Sequence, residues 1–113
     1  MKKIILFFVL FIVSCSDNHT IPNSCTYAIK LILKAEQHTN TKPYATSRRI
    51  QLSMVGIDWN STDEYKAINE ANINYSSYLR RKKNNSQPTN LIIDNTEYIC
   101  QDAINTIKNM VNK

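Results

Sequence analysis

The chain has 113 residues, with 14 basic and 9 acidic side chains and a formal charge of +5. That length is enough for one small domain and no more. Gly56 is the only glycine and there are three prolines, which is poor turn material for an all-β domain, so helix is the expected class.

Lys2 and Lys3 precede an unbroken apolar run from Ile4 to Val13. At roughly 1.5 Å per residue, such a run covers about half of a ~30 Å hydrocarbon core, too little for a permanent span. A charged start, a short apolar stretch and a small residue make an export signal. Ile12-Val13-Ser14-Cys15 then supplies an aliphatic residue, a tolerant position, a small residue and a cysteine. These first sixteen residues resemble the lipobox signal of bacterial lipoproteins. The resemblance implies cleavage between Ser14 and Cys15, a diacylglycerol thioether on Cys15 and an N-acyl chain on the new amine. Two or three acyl chains anchor stably where one does not. Ser16 follows the cysteine where an inner-membrane retention signal would place Asp, so the resemblance also implies the outer membrane, facing the periplasm. On the residues alone, an ordinary secretory signal or an uncleaved signal anchor stays open.

Removal of residues 1–14 takes Lys2 and Lys3 with it, leaving 12 basic against 9 acidic residues, a formal +3. That excess is too small to argue for nucleic acid. Three cysteines are an odd number for an exported chain. If Cys15 carries lipid, Cys25 and Cys100 remain, and an oxidising periplasm would pair them. Two buried free thiols or a metal site are the alternatives. With His19 and His38 the only histidines and no Cys-x-x-Cys spacing, no metal and no cofactor beyond the acyl groups is expected.

Residues 15–23 read as a polar tether, and residues 24–113 as the domain. Asn23 or Ser24 can cap a first helix to about His38, whose apolar stripe is Cys25, Ala28, Ile29, Ile32 and Leu33. The stretch from Thr39 to Pro43 breaks it. A shorter helix is expected from about Ala45 to Val55, with Ile50, Met54 and Leu52 inward and Gly56 as terminator. Trp59 lies in the connection. Ser61 and Glu64 have capping-box spacing for a third helix from about Thr62 to Lys82, with Tyr65, Ile68, Ala71, Tyr75, Tyr78 and Leu79 on one side. Leu91-Ile92-Ile93 fits either an extended segment or the start of the last helix. That helix shows Ile99, Cys100, Ala103, Ile104, Ile107, Met110 and Val111 on one face. The expected architecture is an all-α bundle of three to four helices pinned by one disulfide. The first and last helices run in parallel and the second is a short crossing element.

Chemistry is sparse. Arg80-Arg81-Lys82-Lys83 could meet an anionic lipid surface or an acidic partner, or simply complement the end of a helix dipole. Tyr65, Tyr75, Tyr78 and Trp59 could form a contact surface, although their spacing also suits a core. Asp58 beside Trp59 could serve a small hydrolase or sugar-binding protein, given a second convergent carboxylate. His38 has no nucleophile or carboxylate partner, and no catalytic set emerges. The favoured reading is a non-enzymatic, membrane-anchored protein that binds an unidentified protein partner, as an immunity or inhibitor protein or an envelope accessory subunit.

Overall fold

The computed structural model describes residues 20–84 and 88–111. The signal residues, Ser14, Cys15 and His19 lie outside that range. Among the described residues there are four helices and no strand: α1 (Asn23–Ala35), α2 (Lys42–Ser53), α3 (Glu64–Asn84) and α4 (Thr89–Val111). They form a small helical bundle.

α1 is built as its stripe predicts, with Cys25, Ala28, Ile29, Ile32 and Leu33 all buried. Burial of each large aliphatic side chain stabilises the fold by roughly 1.5–3 kcal/mol relative to exposure. Its start differs from expectation. Pro22 holds the cap position and its carbonyl accepts from the Cys25 and Thr26 amides, with no side-chain cap. At the other end, the Thr41 hydroxyl donates to the Ala35 carbonyl at 2.7 Å, satisfying a terminal acceptor of α1.

α2 begins at Lys42, three residues earlier than predicted. Pro43 starts the helix rather than ending the preceding turn, because a first-turn residue needs no amide hydrogen. Only Ala45 and Leu52 of α2 are buried. Ile50 and Met54, expected inward, are 58% and 73% exposed. Each lies two residues from Leu52, about 200° around a helix, so burying Leu52 turns both to solvent. Gly56 ends this element in the left-handed region, φ 87°. A Cβ there would collide with the Tyr78 ring, so both the backbone angle and the close approach of the ring require glycine.

α3 is capped by Asp63, whose carboxylate accepts from the Lys66 amide at 3.0 Å; Ser61 is not the cap. Its inward line is Ala67, Ala71, Tyr75 and Leu79, at a strict four-residue spacing. Tyr65, two residues from Ala67, is therefore 83% exposed rather than on the core side. In α4 the segment Leu91-Ile92-Ile93 is helical. Thr96 is fully buried, donating to the Ile92 carbonyl at 2.9 Å and accepting from the Tyr75 hydroxyl at 3.0 Å.

Pairwise contacts fix the directions. Ile21 meets Asn72 and Lys30 meets Glu64, so α1 runs against α3. Tyr75 meets Thr96 across the α3–α4 hairpin, so α3 runs against α4. α1 and α4 are therefore parallel, as the cysteine spacing predicts, and Cys25 is bonded to Cys100. Closing a loop of 75 residues restricts the unfolded chain by about 4–5 kcal/mol in the chain-entropy view. α2 packs on both α1 and α4 but not on α3. The segment 54–63 fills the space between α2 and α3, with Ile57 and Trp59 buried in it.

Candidate functional site

Three regions carry polar or unpartnered side chains worth weighing: the hairpin tip, the Trp59 segment and the outward face of α2.

The tip joins the C-terminal end of α3 to the start of α4. Arg80, Arg81 and Lys83 are exposed, and Lys82 is half-buried with its ammonium 5.6 Å from the Tyr78 ring centre. None of the four pairs with a carboxylate among the described residues. Arg80 donates to the Ser77 hydroxyl at 3.3 Å, within its own helix. A cleft of about 250 Å³ lies beside them, lined by Tyr78, Lys82, Pro88, Leu91, Ile92 and Asn95. Leu91 is 60% exposed. Ile21 is buried at the level of Asn72, near the middle of α3, where its amide donates to Asn72 Oδ1 at 2.8 Å. Ile21, within the stretch expected as tether, is thus packed against α3.

The Trp59 segment is structural in character. Trp59 is 1% exposed, and the Arg49 guanidinium sits 4.7 Å from its ring centre. Arg49 also donates to the Trp59 carbonyl at 2.6 Å and to Glu36 Oε2 at 3.2 Å. The indole offers no open face on which a sugar could stack, and its Nε1 has no hydrogen-bond partner among the described residues. Asp58 is exposed, and its carbonyl accepts from Asn74. The carboxylate that does converge on this segment is Glu70, which accepts from the Asn60 and Ser61 amides and the Ser61 hydroxyl. The Asn60 amide foremost, then Ser61, holds the Glu70 carboxyl below the ordinary glutamate range. That is the reverse of a general acid, which needs a raised value.

The tyrosines do not assemble into one surface. Tyr65 is exposed, whereas Tyr75 is buried and stacked on Tyr78 with ring centres 6.1 Å apart. Burial raises the Tyr75 phenol, an effect partly offset by the bond to Thr96. His38 is exposed in the turn that follows α1, which ends at Ala35 rather than near His38 as expected.

The sequence reading missed the outward face of α2. Pro43, Ser47, Ile50 and Met54 all face solvent along the side opposite Ala45 and Leu52. The signal was present in the pattern: α2 carries apolar residues on two opposite sides, and only one can face the core.

No protein-family model, curated protein or solved structure matches this chain.

Proposed function

We propose that the protein is a bacterial lipoprotein, acylated on Cys15 and held on the periplasmic side of the outer membrane, whose helical domain binds a protein partner without catalysing a reaction. The observation that supports the reading best is the Cys25–Cys100 disulfide. It accounts for two of the three cysteines and suits an oxidising compartment, leaving Cys15, at the end of the lipobox-like run, for the acyl group. The burial of Ile21, six residues after Cys15, also suits a short connection to the bilayer.

The α2 face supports the binding half of the reading. A bacterial immunity or inhibitor protein, or an accessory subunit of an envelope assembly, needs an apolar contact with a polar rim. Ile50 and Met54 supply the apolar part; Lys42, Ser47 and Gln51 border it.

Labelled palmitate incorporation tests the anchor: label enters the wild type and is lost in Cys15→Ala, and equal labelling of the two would sink the reading. For the binding half, a photo-crosslinker at Met54 in intact cells captures one envelope protein, and Ile50→Asp abolishes that capture while the disulfide and helix content persist. Capture unaffected by Ile50→Asp would remove α2 from the account.

A further inference from the structure

The parallel arrangement of α1 and α4 directs the N-terminal end of α1 toward the same end of the bundle as the hairpin tip. From the level of Asn72, where Ile21 docks, α3 continues for twelve residues to Asn84, roughly 18 Å at helical rise. The chain from Cys15 to Ile21 spans six residues, and its reach is at most roughly 20 Å when fully extended. The tether length and the overhang of the hairpin therefore match. With α3 along the membrane normal, an acylated Cys15 would place the tip at the level of the headgroups, because the tip extends about as far as the tether can reach.

We propose that the tip of the α3–α4 hairpin, with Arg80, Arg81, Lys82, Lys83 and Leu91, docks on the anionic phospholipid headgroups of the leaflet that holds the anchor. The inference rests on the lipid anchor proposed above. The four cations are free of carboxylate partners among the described residues, and the acids of the nearby turns of α4, Asp94 and Glu97, do not pair with them. Leu91 adds an exposed apolar side chain at the same end, beside the Tyr78–Lys82 cleft. Cations close to a charged leaflet and an apolar side chain at the acyl boundary are complementary to such a surface. Docking by the tip leaves the outward face of α2 on the flank of the bundle. Ile50 neighbours Arg48, which pairs with Asp102, and Asp102 lies thirteen residues, about 20 Å, along α4 from its start.

The test uses the full lipidated chain, reconstituted into vesicles of phosphatidylcholine alone or with added phosphatidylglycerol. A photo-crosslinking residue replaces Leu91 or, as a control, Ile50. The Leu91 probe is expected to label lipid in phosphatidylglycerol vesicles, several-fold less in phosphatidylcholine alone, and the Ile50 probe in neither. The combined Arg80→Gln, Arg81→Gln, Lys82→Gln and Lys83→Gln variant should lower Leu91–lipid labelling by about fivefold or more. The charge-preserving pair Arg80→Lys and Arg81→Lys should retain it, with helix content and the disulfide checked in both. Equal labelling in the two vesicle types, or labelling of protein instead of lipid in intact envelopes, would overturn the proposal. Palmitate incorporation separates the two levels: a chain acylated on Cys15 whose tip finds no lipid refutes the docking alone. A chain not acylated there refutes the anchor, and the docking with it.

Discussion

The two sides of the bundle are held by different means. On one side, α1, α3 and α4 share a buried interior of aliphatic and small side chains, tied by the disulfide and by the Tyr75–Thr96–Ile92 hydrogen-bond chain. On the other, α2 buries two side chains and is secured by guanidinium groups: Arg48 to Asp102 at 3.2 Å, Arg49 to Glu36 and the Trp59 carbonyl. Packing specifies a face through periodicity, whereas an arginine clamp is specified by a few long side chains with no period at all. The first kind of order should be globally cooperative and the second locally separable.

Breaking the covalent tie tests the first side and should have the largest effect. Replacing Cys25→Ala and Cys100→Ala together lowers the free energy of unfolding by about 4–5 kcal/mol, since the 75-residue loop is released in the unfolded chain. Urea unfolding followed by far-UV circular dichroism measures it. A shift below 1 kcal/mol would put the tie outside the main source of stability.

The arginine clamp comes next. Arg49→Leu removes the ring contact and leaves Glu36 and the Trp59 carbonyl without that donor, costing about 1–3 kcal/mol. Because Trp59 is the only tryptophan, its fluorescence reports on this side alone. In the variant its transition should precede the loss of helix; coincident transitions would show that the clamp is not separable. A smaller effect is expected from acid. The Glu70 pKa is lowered in the fold, so its contribution is fully present above the unfolded-state value. It is lost as pH falls through the folded-state value. Glu70→Gln should remove that acid sensitivity from the Trp59 signal. Smallest of all, Ile50→Ser and Met54→Ser should each change stability by no more than about 0.5 kcal/mol, because both already face water.

The same contrast explains what could be read from the residues. α1 and α4 were legible because each has a single apolar stripe, and the stripe is the buried face. The pairing of Cys25 with Cys100 was legible once Cys15 was set aside, and the parallel helices followed from it. α2 was misread because Ile50 and Met54 compete with Ala45 and Leu52 for the inward side. Volume favours the first pair, but the close approach of α2 to both α1 and α4 favours the side carrying the smaller Ala45. Tyr65 failed for a related reason: an alanine two residues on, not a tyrosine, fits the line facing α1. Thr96 could not have been found from periodicity, which treats threonine as polar; only the Tyr75 hydroxyl opposite makes it a buried residue. The cationic tip was visible as a charge run, but its relation to the start of the fold needed the helix directions.

The position of the disulfide also decides how the molecule would carry a pull. Tension applied at residue 20 enters through Ile21 and reaches Cys25 within one helical turn. At Cys25 it can cross directly to Cys100 and continue along α4 toward its end. Everything between those two residues, including α2, the Trp59 segment and α3, lies inside a closed covalent ring, outside the line of force. A protein tugged between its N-terminal connection and a load on the last turns of α4 would yield slack only from the short stretches before Cys25 and after Cys100, with most of the chain mechanically shielded.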